Sequence, residues 1–149
     1  MKGTDLLKRQ HKEVKSLFKK LEKAENARTR RQLLDQIAAD LEAHTTIEEE
    51  MFYPAIRGLG TKKAEEMVAE AYEEHHVVKL VLAEVPKVDP EGERFEAKMT
   101  VLSELVEHHA DEEEKEMFPR ARKLLSRDEL NELGEQLERR KMALLGGNA

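Results

Sequence analysis

Apolar residues recur along this chain at steps of three and four, the period of a helix that buries one face. Leu7, Val14, Leu17, Phe18 and Leu21 form the first stripe, which ends near Lys23, and Thr4 or Asp5 stands where a cap would open it. The short polar stretch 24–29 reads as a tight connection. A second stripe follows at Leu33, Leu34, Ile37, Leu41, Ile47, Met51 and Phe52. Pro54 is expected to kink or end that helix, because it removes a backbone donor and clashes with the preceding turn, and Gly58 and Gly60 to close it. Thr61 can cap a third helix, which runs through Met67, Val68 and Ala71 to about Glu84, where Pro86 stops it. The run P-K-V-D-P-E-G is the clearest loop. Asp89 followed by Pro90 predicts the cap and first position of a fourth helix, with Leu102, Leu105 and Val106 inward and a bend or stop near Pro119. Ser126 and Glu129 form the capping-box pattern S-x-x-E, opening a fifth helix with Leu130, Leu133, Leu137 and Leu144 on one side. The closing G-G-N-A is expected to fray.

No alternating strand pattern competes. Long helices with short links favour antiparallel neighbours, so the expected class is all-α: an up-down-up-down four-helix bundle with an additional C-terminal helix. The chain reads as one domain, 1–149, made of two half-repeats, about 4–59 and 61–124, followed by a helix over about 126–145.

Polar residues break the apolar stripes at matching places, which is where the half-repeats show. H-T-T-I-E-E-E-M-F-Y-P, from His44 to Pro54, lies without a gap over H-A-D-E-E-E-K-E-M-F-P, from His109 to Pro119. The same register pairs Arg57 with Arg122 and Leu59 with Leu124. Upstream, His11 is followed by Val14, Leu17, Phe18 and Leu21, and His75 by Val78, Val81, Leu82 and Val85, at identical spacings. The unit is a lone His on one helix, then His-x-x-x-Glu on the next, where i and i+4 share a face. A pseudo-dyad through the bundle would bring His11, His44, Glu48, His75, His109 and Glu113 to a common centre.

Six polar groups in one core are costly unless they hold something. Four imidazoles and two carboxylates make a borderline-hard donor set suited to iron, manganese or zinc. Two ions, each held by the two His of one half with both Glu shared, use every ligand symmetrically and leave a position for a small ligand. His76 and His108 fall outside the register and read as rim or solvent residues, or as outer partners of the site. Glu49, Glu50, Glu112, Glu114 and Glu116 read as a solvated acidic face. Tyr53 and Tyr72 could approach the ions, but no spacing demands it.

Composition narrows the function further. The 149 residues carry 39% charged and 4% aromatic side chains, no Cys, and a formal charge of −6. The acidic balance argues against a nucleic-acid binder. The missing Cys excludes disulfides, thiolate sites and a Cys nucleophile. No apolar run is long enough for a signal peptide or a membrane span, so a cytoplasmic location is expected.

The order H…H-x-x-x-E…H…H-x-x-x-E in a four-helix bundle resembles the hemerythrin-like (HHE cation-binding) proteins over almost the whole chain. E-M-F-P and the tail L-S-R-D-E-L-N-E-L-G are similar to bacterial members. The resemblance implies two iron ions with oxo or hydroxo and carboxylate bridges, held by His11, His44, His75 and His109 with Glu48 and Glu113 bridging; manganese or zinc could substitute. It implies a small-molecule ligand (O2, hydrogen peroxide or NO) and a role in oxidative or nitrosative stress or iron handling, with peroxide consumption as the enzyme alternative. Reversible oxygen binding or sensing, or plain iron buffering, are the non-catalytic alternatives. The chain carries Lys79 where oxygen-carrying members have a further His, and H-x-x-x-E where they have H-x-x-x-x-D. No membrane or nucleic-acid partner is implied, and a monomer or weak dimer is expected.

Overall fold

The computed structural model describes residues 1–146, and among them there are helices and turns but no strand. Helix α1 is Gly3–Lys23. Helix α2 is Ala27–Ile47, continued by a π turn, Glu48–Phe52, and a last stretch, Tyr53–Arg57. Helix α3 is Lys62–Glu84. Helix α4 is Phe95–Glu112, with its own π turn, Glu113–Met117, and a last stretch, Phe118–Leu124. Helix α5 is Arg127–Leu144. The first four pack in a ring, α1 on α2, α2 on α3, α3 on α4 and α4 on α1, and α5 lies against α1 and α2. This is the up-down-up-down bundle with an added C-terminal helix.

Two caps form as the sequence spells them. Thr61 accepts the Ala64 N–H at 3.1 Å. Ser126 and Glu129 make both bonds of the capping box. Other expectations at helix ends are corrected. Helix α1 starts earlier, with Lys2 at the cap position and no side-chain bond, and Thr4 is buried inside its first turn. Helix α4 starts at Phe95, not at Pro90, because the preceding loop is tied elsewhere. Arg30 donates to the Pro90 carbonyl at 2.9 Å, Arg31 to that of Val85 at 3.0 Å, and Asp89 closes a turn by accepting the Glu91 N–H. Leu144 is exposed rather than part of the α5 stripe, whereas Leu130, Leu133 and Leu137 are buried. The expected fraying of G-G-N-A falls on residues 147–149, which lie outside the described residues, and on Gly146.

Neither Pro54 nor Pro119 ends its helix. Each sits at the start of the stretch after a π turn. The wider turn takes up one extra residue and relieves the clash a proline ring makes in a regular helix, so the chain stays helical through it.

The interior divides into two apolar clusters. One gathers Leu6, Leu7, Ile47, Phe52, Met117 and Phe118 against Leu130 and Leu137 of α5. The other gathers Phe18, Leu34, Ile37, Leu82, Phe95 and Leu102. The in-register His and Glu side chains of the two half-repeats lie where these clusters meet.

Candidate metal centre

All six residues singled out by the half-repeats are buried, from Glu48 at 0% to His109 at 7% exposure. They fall into two groups whose donor atoms lie within 4.8 Å of one another: His11, His44, Glu48, Glu113, and Glu48, His75, His109, Glu113. Both carboxylates belong to both groups, and each group takes two His from one half-repeat. His11 Nε2 stands 3.1 Å from Glu113 Oε1, and His75 Nε2 stands 3.0 Å from Glu48 Oε1. His44 Nε2 and Glu48 Oε1 are 3.2 Å apart, and His109 Nε2 and Glu113 Oε2 3.3 Å, so each i,i+4 pair meets on one helix face.

The Nδ1 atoms point the other way, and each has an acceptor. His11 Nδ1 donates to Glu114 at 2.8 Å, His44 Nδ1 to Gln10 at 2.6 Å, His75 Nδ1 to Glu49 at 2.8 Å and His109 Nδ1 to Glu74 at 2.7 Å. An imidazole whose Nδ1–H is committed outward presents Nε2 as the lone-pair donor and cannot swing. Four such imidazoles therefore aim four Nε2 atoms at two shared carboxylates. Of these outer partners, Glu49 and Glu114 were expected on a solvated face; both instead reach a His of the cluster on a neighbouring helix. Gln10 and Glu74 are not marked by the repeat spacing, yet each directly precedes a His of the cluster. Lys79 donates to Glu49 at 2.7 Å, so it braces the support of His75.

Tyr53 is the seventh inward group. Its Oη donates to Glu113 Oε2 at 2.7 Å and stands 3.1 Å from Glu48 Oε1, 3.0 Å from His75 Nε2 and 3.1 Å from His109 Nε2. It thus occupies the middle of the second group. Its half-repeat counterpart is Phe118, which has no donor and stacks on the His11 ring at 5.8 Å. Tyr72 donates instead to the Glu49 carbonyl. His76 is exposed, as the register requires. His108 is exposed too, but touches Glu112 at 3.2 Å and Glu74 at 3.7 Å, behind the support of His109.

Electrostatics in the metal-free cluster are those of confined opposite charges. Burial pulls the His109 pKa down, but the Glu113 charge and hydrogen bonds to Glu113, Glu48 and Glu74 outweigh it and hold the imidazole well above its usual range. His11 is raised in the same way, burial being overcome by Glu113 and Glu48. Burial would raise Glu48, but the His44 charge and its hydrogen bonds leave it well below the usual carboxylate range. Burial, then the neighbouring carboxylates, push the Tyr53 phenol far up.

These residues fit metal ions. His44 Nε2 and Glu48 Oε2 are buried with no hydrogen-bond partner, an arrangement that costs about 1–3 kcal/mol per group unless a cation takes the lone pairs. Two openings flank the cluster. A cavity of about 20 Å³ is lined by the four His with Val14, Val78, Leu41 and Val106. On the other side an acidic funnel, lined by Glu70, Glu74, Glu112 and Glu116, ends on His109 and Glu113.

Residues 2–121 match the family model described as the hemerythrin HHE cation binding domain. An uncharacterized protein of Mycobacterium tuberculosis, Rv2633c, is 31% identical over 98% of this chain and 89% of its own length. A crystal structure of a hemerythrin HHE cation binding domain-containing protein, an Rv2633c homolog from Mycobacterium kansasii, superposes with a TM-score of 0.86 at 29% identity, covering 99% of this chain and 89% of that one. A Nostoc protein named DNA nickase is 27% identical over 97% of this chain, which spans 41% of it. Among the described residues, no helix is long and apolar enough to cross a membrane.

Proposed function

The chain belongs to the hemerythrin HHE cation-binding family, and from that membership and its six-residue cluster we propose that it is a non-haem di-iron protein that takes a small oxidant or gas. The observation that carries this is the outward commitment of all four His Nδ1 atoms, which leaves four Nε2 donors converging on two shared carboxylates. In this reading His11 and His44 hold one ion, His75 and His109 the other, and Glu48 and Glu113 bridge; Tyr53 adds an oxygen donor to the second. Bound iron would supply a redox-active Lewis acid for O2, peroxide or NO. The protein packs two apolar clusters around the site, and on the side of the four imidazoles it offers a ligand a cavity of about 20 Å³, room for little more than one water. Peroxide consumption, in protection against oxidative stress, is the enzymatic form this reading would take.

The acidic funnel favours a second reading, iron buffering, because Glu70, Glu74, Glu112 and Glu116 attract cations toward His109 and Glu113. One experiment separates the two. Protein loaded anaerobically with iron should hold close to two ions per chain, evolve oxygen or consume peroxide on mixing, and change its optical spectrum on exposure to O2. Two irons with no spectral response to either oxidant would leave a buffer. A stable, stoichiometric single zinc from iron-supplied cells would sink the di-iron reading.

A further inference from the structure

The cavity beside the four imidazoles carries one asymmetry that its ligands do not. Eleven residues line it, and ten fall into half-repeat pairs, among them His11 with His75, Val14 with Val78 and Leu41 with Val106. The eleventh is Gln10. Its counterpart, Glu74, faces the acidic funnel instead, and as a carboxylate has no hydrogen to give. Gln10 is 3% exposed. Its Oε1 is used, accepting the His44 Nδ1–H at 2.6 Å, but its amide nitrogen is buried with no partner. Of the other polar groups on this wall, Thr45 Oγ1 donates to the Glu42 carbonyl at 3.2 Å and the imidazole Nδ1–H groups donate outward, while His44 Nε2, also without a hydrogen-bond partner, offers a lone pair and not a hydrogen. A buried amide hydrogen without an acceptor costs free energy, and wherever such a group survives in a fold it calls for a partner.

We propose that Gln10 is a specificity-determining residue, whose Nε2–H donates a hydrogen bond to the acceptor atom of a small ligand in this cavity. The proposal rests on the di-iron reading above and adds a chemical filter to it. The volume of about 20 Å³ admits one or two heavy atoms without moving the walls. The amide then favours ligands that carry negative charge or gain it on binding, such as fluoride, hydroxide, O2 or NO, over carbon monoxide, a poor acceptor. The same side chain keeps the His44 ring turned through Oε1, so one residue couples ligand to metal position.

The test uses the full chain loaded with iron, and two variants. Gln10→Glu keeps the acceptor for His44 and removes the donor; Gln10→Met removes both. The reduced protein is given nitric oxide, and the N–O stretching frequency is read in H2O and in D2O. The wild type should show a solvent-isotope shift, and both variants should lose it. In parallel, the affinity of the oxidised protein for fluoride should fall roughly tenfold or more in each variant, the worth of one hydrogen bond to a charged acceptor. Metal content, measured by elemental analysis, should stay at the wild-type value in Gln10→Glu, which keeps the acceptor for His44. Should Gln10→Met lose iron, Gln10→Glu decides alone. An unchanged isotope shift and unchanged fluoride affinity at full metal content would overturn the proposal and leave the di-iron reading standing. A wild type that takes up no iron, or that binds neither probe when loaded, would overturn that reading and this proposal with it.

Discussion

At the scale of single residues, the buried six-residue cluster was legible because two polar pairs at matching positions cannot both be accidents of a charged sequence. What stands behind each ligand was not legible. Neighbours on a helix point about 100° apart, so Glu49, next to Glu48, and Glu114, next to Glu113, read as solvent-facing. In the bundle that angle carries each of them to the His of an adjacent helix, as it carries Gln10 to His44 and Glu74 to His109. The signal existed in the doublets Q-H, E-H and E-E, but it needs the arrangement of helices to be understood. Tyr53 could be named only as able to approach the ions for another reason: it is five residues after Glu48, a spacing that shares a face only across a π turn. The register makes a sharp prediction. His75→Ala and His109→Ala should each cut metal content, by elemental analysis, from about two ions per chain toward one or fewer, while exposed His76→Ala keeps it. Loss of metal in His76→Ala would put the α3 register off by one. For Tyr53→Phe, which keeps the buried ring and deletes only the hydroxyl, we expect weaker metal binding, by roughly 10- to 100-fold, and loss of any phenolate-to-iron absorption in the visible spectrum. A spectrum identical to wild type would remove Tyr53 from the donor set.

At the scale of elements, the apolar period located all five helices, and the two side-chain caps with well-separated signals, Thr61 and Ser126, were read correctly. Asp89-Pro90 misled because the loop before α4 is fixed by Arg30 and Arg31 of α2, a tertiary contact that no local pattern announces. The π turn of α2 shows only as a five-residue step among the buried positions, Ile47 to Phe52 and Glu48 to Tyr53, which a reading in threes and fours passes over. Ser126→Ala should lower stability by about 1 kcal/mol, seen as a reduced denaturant midpoint at unchanged slope, because it deletes the hydroxyl that accepts the Glu129 N–H, although the backbone N–H at 126 can still donate to Glu129. Gly134 sits inside α5, where Gly normally costs about 1 kcal/mol against Ala. Here a Cβ would stand 1.9 Å from the Met1 carbonyl oxygen and 3.0 Å from the Gly3 nitrogen. Gly134→Ala should therefore destabilise despite the gain in propensity, by about 1–3 kcal/mol, the usual cost of overpacking. A stabilised variant in the same denaturation experiment would show that the first residues swing aside.

At the scale of the whole molecule, a layer of buried charge separates two apolar clusters, and its protonation ties the fold to pH and to metal. In the metal-free protein His109 and His11 are held above their ordinary value of about 6.5 by Glu113 and Glu48. A raised histidine contributes stability that is complete below the unfolded value and is lost as pH rises through the folded one. Glu48 is depressed, so its contribution is present above about 4.5 and is lost as pH falls through its lower folded value. Stripped protein should thus be most stable on the acid side of neutrality and should weaken steadily above it. Metal acts in the opposite direction: an ion displaces the protons from the imidazoles, so its binding strengthens as pH rises. The gap in melting temperature between loaded and stripped protein should be small near pH ~5.5 and widen through pH ~8. Scanning calorimetry of both forms across that range reads it directly. A gap independent of pH would mean that the folded, metal-free cluster binds protons no more strongly than the unfolded chain does, and that the charges around His109 are screened by water rather than confined between the two cores.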